Sequence, residues 1–156
     1  MDQSEFVKLF RDKGSLTIKE GNGKVITLTK PENWKEQQGK DGIYLLFDLF
    51  QIRSISEQFS EISLDIVEYA SKPTIYTSPA NRLVPEGLAV NGSIRFALIR
   101  DTEWNKLLFQ ISQPVLVYFD TKESVDVTTK KYFPLFGPSV KEMYLGPDGD
   151  VKILKG

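Results

Sequence analysis

A chain of 156 residues with 40% hydrophobic and 26% charged side chains fits one globular domain, and folding buries roughly 70% of its extended-chain surface. Cysteine and histidine are both absent, which excludes disulfides, cysteine nucleophiles, Cys/His zinc sites and histidine-based triads. Twenty basic against 21 acidic residues leave a net charge of -1, with no overall pull toward nucleic acid.

No apolar run approaches the ~20 residues of a membrane span. The start, Met1 to Phe6, lacks the basic and apolar segments of a signal peptide, so a cytoplasmic location away from membranes is the expectation.

Taken in order, Asp2 to Lys13 reads as a helix with Phe6, Leu9 and Phe10 on one stripe, and Gly14 is its stop. Ser15–Glu20 and Lys24–Thr29 flank Gly21-Asn22-Gly23, a hairpin signal, since Asn-Gly accepts the positive φ of tight turns. Without a following helix and Lys-Ser/Thr, the same tripeptide is no phosphate loop. Pro31 suits the first turn of a helix over Glu32–Gln38, closed by Gly39. Ile43–Asp48 is a continuous apolar run of strand length, as in a sheet covered on both faces.

Ser60 caps a predicted helix over Glu61–Ala70, with Ile62, Ile66 and Tyr69 on its apolar side and Leu64 and Val67 widening the stripe. Strands follow at Thr74–Thr77, Gly87–Val90 and Ser93–Ile99, with a tight turn at Asn91-Gly92. Asp101 caps the clearest helix, marked by Trp104, Leu107, Leu108 and Ile111. Pro114–Phe119 is a buried strand, and the polar Thr121–Lys131 reads as loop or weak helix. Val140–Leu145 and Val151–Leu154 form a closing hairpin around Pro147-Asp148-Gly149. Strands and helices interleave over 1–156 with no linker or repeat. The expectation is a single α/β domain with a mixed, twisted, open sheet and flanking helices.

Few residues in this pattern point to chemistry. Asp48, Glu61, Asp65 and Glu68 are read as a solvated face, since acid–base work needs two carboxylates in a shared cleft. Lys130, Lys131 and Lys141, near Tyr132 and Phe133, are read as a solvated edge, although basic residues among aromatics also occur in nucleic-acid sites. Arg95 stands inside a strand among apolar neighbours. It is either paired with a carboxylate or aimed into a pocket as an anion-binding fork, and both readings stay open.

Three ordered stretches resemble the YrdC/YciO family of threonylcarbamoyl-adenylate synthases and their relatives. They are Ile66 through Ile75; Ala80-Asn81-Arg82-Leu83-Val84-Pro85 through Asn91-Gly92-Ser93-Ile94; and Pro138-Ser139 followed by Asp148 through Ile153. The resemblance, strongest over 65–156 and shortened at the N-terminal side, implies a twisted α/β sheet around a positively charged cavity. It also implies ligands: ATP, L-threonine and bicarbonate as substrates of threonylcarbamoyl-AMP synthesis, and double-stranded RNA in some members. Thr74 matches the family's strand threonine and Ser139 a serine near its nucleotide site.

Other family elements are missing. No proline–threonine–aspartate–threonine loop follows the first strand, and Lys40 lacks the arginine of a lysine-x-arginine element. Val117-Tyr118-Phe119-Asp120-Thr121 stands where the family has serine-threonine-serine-alanine-asparagine. Ala97 replaces a strand arginine, with Arg95 two residues earlier on the same face. Losing one positioned donor typically costs ~3–4 kcal/mol of transition-state stabilisation, so three losses together argue against ordinary synthase activity.

The resemblance therefore implies a degenerate YrdC-like protein that binds a nucleotide or RNA through Lys40, Thr74, Arg95 and Ser139. It assigns no catalytic residue, metal or resident cofactor, with ATP as the ligand that the family suggests. The alternatives are a divergent synthase that rebuilt its site from Arg95, Lys40 and Tyr118, and a structural or protein-interaction domain.

Overall fold

The computed structural model describes residues 1–33, 42–84, 87–119, 124–135 and 139–155. Their organising element is a nine-stranded mixed sheet in the order β7-β1-β2-β6-β3-β5-β4-β8-β9. The strands are β1 Ser15–Lys19, β2 Val25–Thr29, β3 Ile43–Leu46, β4 Thr74–Pro79, β5 Ser93–Leu98, β6 Val115–Phe119, β7 Val127–Thr128, β8 Lys141–Leu145 and β9 Val151–Lys155. The helices are α1 Gln3–Lys13, α2 Glu61–Glu68 and α3 Thr102–Ile111.

Two apolar layers sandwich this sheet. On one face, Phe6, Val7 and Phe10 of α1 and Trp104, Leu107, Leu108 and Ile111 of α3 pack on Leu16, Ile18, Ile26, Leu28, Ile43, Leu45 and Val117. On the other, Ile52, Ile55, Phe59 and Val67 cover Tyr44, Leu46, Phe96, Tyr76, Met143 and Leu145. Central β3 is buried on both faces at all four positions, which its unbroken apolar run requires. Thr29, Leu116, Tyr44, Phe96, Tyr76, Met143 and Ile153 pair successively across seven strands. Within that row, Tyr76 stacks on Phe96 with ring centroids 5.2 Å apart.

Local chemistry sets most boundaries. The Asp2 side chain accepts from Glu5 N–H at the start of α1, and Gly14, at φ 77°, closes it by donating to the Phe10 carbonyl. Asp101 accepts from the N–H groups of Glu103 and Trp104, which starts α3 as expected. The two expected hairpins form, β1 with β2 and β8 with β9.

Four expectations change. The run from Ile43 leaves the sheet at Leu46, because Asp48 accepts from Phe50 N–H at 2.7 Å and starts a 3-10 helix over Leu49–Ser54. The α2 stripe is rotated. Ile62 and Tyr69 are 62% and 80% exposed, while Ser63 and Val67 are buried. Ser63 sets that rotation by donating its hydroxyl to the carbonyls of Gly146 and Pro147, at 2.7 and 2.9 Å, in the β8–β9 turn.

No strand spans the described part of Gly87–Val90. A bridge from Val90 to Ser93 closes the turn in which Asn91 and Gly92 both take positive φ. Within Thr121–Lys131, Val127–Thr128 forms a short strand parallel to β1. Pro31 opens a 3-10 turn over Pro31–Asn33. The remainder of the helix expected over Glu32–Gln38, its stop Gly39, and Lys40 lie outside the described residues.

Candidate functional site

Adjacent strands β3 and β5 run parallel, and their carboxyl ends, Leu46 and Leu98, lie side by side. Open α/β sheets bind ligands in crevices beyond such strand ends. Two cavities lie here. The larger, about 560 Å³, is walled by Phe47, Leu49, Ile52, Phe59, Leu64 and Leu98, with Arg53, Gln58, Glu68, Arg100 and Asn105 adding polar groups. The smaller, about 330 Å³, is lined by Val67, Lys72, Thr74, Tyr76, Asp101 and Leu135, among others. Leu98, Ile99 and Arg100 belong to both.

Arg100 is the cation at the junction. Its Nη2 donates to the Val67 carbonyl at 2.7 Å and to the Glu68 carbonyl, capping the C-terminal end of α2. Among the described residues no carboxylate forms an ion pair with it. Asn105 of α3 fixes the strand ends beside it, donating Nδ2 to the Phe47 and Ile99 carbonyls at 3.1 and 2.8 Å. On the rim, Arg53 lies 5.8 Å from the centroid of the exposed Phe50 ring.

In the smaller cavity Thr74 is buried and donates its hydroxyl to the Lys72 carbonyl at 2.9 Å. Burial raises the Tyr76 pKa, and the Thr74 hydrogen bond and the Arg100 charge oppose part of that rise. Asp101 is already committed to capping α3, with Lys131 3.8 Å from its Oδ2. The pair of cavities thus offers apolar and aromatic walls, the guanidinium groups of Arg53 and Arg100 and a hydroxyl pair. Such a surface suits binding a planar, anionic molecule more than proton transfer.

A second group of hydroxyls lies on β1, β2 and β6. Thr17, Thr27 and Tyr118 pair across the three strands, and the Thr17 and Thr27 Oγ1 atoms are 3.0 Å apart. All three are buried, as is Tyr44 nearby on β3, whose phenol burial pushes up to about 12. Sequence reasoning singled out Tyr118 of this face but not Thr17 and Thr27, since alternate threonines look the same whether they face water or an interior.

Of the residues singled out in the sequence, Thr74 lies in the smaller cavity. Ser139 is exposed and precedes by two residues the Lys141 that pairs with Thr74, so it sits at the same end of the sheet. Arg95 lines neither cavity. It reaches past β4 to Glu142, with Nη2 and Oε1 3.1 Å apart, which is the carboxylate pairing left open above. Its neighbour Ala97 is fully buried in the layer under α1 and α3, where a cation would be stranded. Lys40 lies outside the described residues.

Among the carboxylates, Asp48 is a helix cap, while Glu68 borders the larger cavity. Arg100, which the sequence reading passed over, was detectable only as the residue following a buried strand and preceding a helix cap. No group of three or more metal-ligating side chains occurs among the described residues, and no helix there is long and apolar enough to cross a membrane.

No protein-family model and no curated protein matches the chain. Solved structures do. E. coli YciO superposes with a TM-score of 0.75 at 12% identity, covering 98% of this chain and 87% of YciO. P. abyssi Sua5 complexed with L-threonine gives 0.74 at 8% identity, covering 99% of this chain and 54% of Sua5. Full-length HypF in a phosphate- and nucleotide-bound form gives 0.69 at 10% identity, covering 97% of this chain and 28% of HypF. This chain therefore spans most of YciO and about half of Sua5, and at these identities the likeness is one of fold: a YrdC-like mixed α/β domain with an open sheet and flanking helices.

Proposed function

We propose that this protein is a nucleotide-binding module without ordinary threonylcarbamoyl-AMP synthase activity. The observation that carries the reading is the junction of the two cavities at Arg100. A base stacks in the larger cavity among Phe47, Phe59 and Leu98, and phosphate oxygens meet the guanidinium at its mouth. Two larger proteins that include this fold have been solved, one with L-threonine and one with phosphate and nucleotide, which supports a small-ligand reading.

Synthase chemistry would need donors held around the transferring phosphorus. The segment standing in for the family's serine–asparagine donors carries a buried Tyr118 and a Phe119 packed edge-on against Phe133. A site rebuilt from Arg95 would first have to take it from Glu142. Cavities of these volumes suit a mononucleotide, whereas duplex RNA is gripped over an extended basic surface that a chain of net charge -1 supplies poorly.

Calorimetric titration with AMP and ATP tests the reading. Binding is expected in the unmodified protein and in Arg95→Ala, with loss in Arg100→Ala. Pyrophosphate release from ATP with threonine and bicarbonate is expected to stay at background. No heat with either nucleotide, binding that survives Arg100→Ala unchanged, preferential binding of duplex RNA, or sustained pyrophosphate release would each reject it.

A further inference from the structure

A third cavity, about 990 Å³, opens where the first turns of α1 and α3 meet the end of β1 and strand β7. It shares no lining residue with the two cavities at Arg100. Glu20, the residue after β1, lines it and is only 3% exposed. Its Oε2 accepts from the Phe133 N–H at 2.6 Å, while among the described residues its buried Oε1 has no hydrogen-bond partner. Glu103, in the first turn of α3, lines the same cavity, and its Oε2 is also buried without a partner. Buried carboxylate oxygens normally find a donor, because losing water uncompensated is costly.

Both carboxylates are held in place. Trp104 of α3 donates Nε1 to the Tyr132 carbonyl at 3.0 Å and packs edge-on against Phe133. The N–H that orients Glu20 is thereby tied to the helix that carries Glu103. Among the described residues no lysine, arginine or amino terminus forms an ion pair with either carboxylate.

The wider lining has the same sign. Its acidic residues are Asp2, Glu5, Glu20, Glu103 and Asp126, against three lysines. Asp126 is held by Lys13, and Lys131 lies 3.8 Å from Asp101, which leaves four carboxylates facing Lys19 and Lys130. Glu5 and Glu103 also suit the helix N-termini where they stand. Glu20 follows a strand and has no such role, so its oxygen points to a donor from outside the chain. No three carboxylates among the described residues are grouped to hold a metal ion, and an organic cation with directed N–H donors fits this set better.

We infer that this cavity binds an aliphatic diamine. One ammonium donates to Glu20 Oε1 and Glu103 Oε2. The methylene chain runs past Phe6, and the second ammonium rests against the exposed Asp2 and Glu5. Two positive charges match the excess of two carboxylates.

Calorimetric titration of the full chain with 1,4-diaminobutane tests the assignment, with butylamine and magnesium chloride as comparators. Saturable diamine binding is expected, about tenfold or more tighter than that of butylamine. Glu20→Gln keeps an acceptor for the Phe133 N–H and puts an amide NH2 in place of the unpartnered oxygen. It is expected to weaken diamine binding by about tenfold or more, and so is Glu103→Gln at its less buried position. Circular dichroism of Glu103→Gln is expected to match the parent, so the test stands even where Glu20→Gln folds poorly. Neither residue lines the cavities at Arg100, so nucleotide and diamine titrations succeed or fail separately. No heat with the diamine, binding that Glu103→Gln or a folded Glu20→Gln leaves unchanged, butylamine binding as tightly, or magnesium competing for the same carboxylates would each overturn the assignment.

Discussion

Arg100 closes the C-terminal end of α2 by donating from Nη2 to the Val67 carbonyl at 2.7 Å. The bond joins the chain just after β5 to the helix covering the opposite side of the cavity pair, so one side chain fixes the cavity wall and supplies its cation. On the proposed reading, stability and ligand capture are therefore coupled at this position.

Arg100→Ala removes the charged donor from the last turn of α2. A loss of about 1–2 kcal/mol is expected in urea unfolding, the usual worth of a hydrogen bond from a charged group. The same change removes a positive charge that lowers the Tyr76 pKa, so ultraviolet titration of that phenol moves further upward. A variant with parental stability and an unmoved Tyr76 titration would show that the guanidinium is not held there in solution.

Asp126 anchors the edge of the sheet. Burial pushes its pKa up, but the hydrogen bond and charge of Lys13, together with the Thr17 N–H at 2.9 Å, outweigh burial and hold it below the usual carboxylate range. Because the folded-state value is depressed, this contribution is fully present above the unfolded value of about 4 and fades as pH falls through the folded one. Asp126→Asn is expected to cost about 1–2 kcal/mol at pH 7 and to flatten the acid limb of the stability curve. Parallel acid limbs for the two proteins would contradict the assignment.

At the other end of the pH scale, burial raises the Tyr44 phenol to about 12. The unfolded chain ionises this group near pH 10 while the folded one does not, so stability from keeping it neutral is intact below about pH 10 and is lost as pH rises toward 12. Tyr44→Phe should leave unfolding at pH 7 nearly unchanged and reduce the alkaline loss. Tyr76, also raised by burial, leaves a residual slope. Identical alkaline profiles for variant and parent would rule Tyr44 out as the source.

Two glycines of the first hairpin serve different ends. A β-carbon at Gly21 would stand 2.5 Å from the Lys130 carbonyl oxygen and 2.8 Å from the Tyr132 ring, whereas at Gly23, at φ 86°, it would meet nothing within 4 Å. Gly21→Ala must push backbone apart and is expected to cost about 1–3 kcal/mol. Gly23→Ala pays only for a left-handed conformation, about 1–2 kcal/mol, and Gly23→Asn less. Thermal unfolding of the three variants checks the order, and a Gly21→Ala protein as stable as the parent would remove the close approach from the account.

Legibility followed the range of the physics. Caps at Ser60 and Asp101, the stop at Gly14, the turn at Asn91-Gly92 and the core side chains of α3 all act within a few residues, and each was readable from residue type and spacing. The unbroken apolar run at β3 announced a strand covered on both faces for the same reason.

What needed the folded chain was long-range. The rotation of α2 is decided by Ser63 reaching carbonyls some eighty residues away, against an apolar pattern that favoured another face. Arg95 was legible as a cation with two fates, and only the register of β5, β4 and β8 brought it to Glu142. The candidate site is the clearest case. Thr74 was marked by its sequence neighbourhood, but Arg100 became a cavity cation because two parallel strand ends and the end of α2 converge on it. Local sequence sets where elements begin and end, and the tertiary arrangement sets which side chains meet, because sequence-distant contacts depend on packing and strand register.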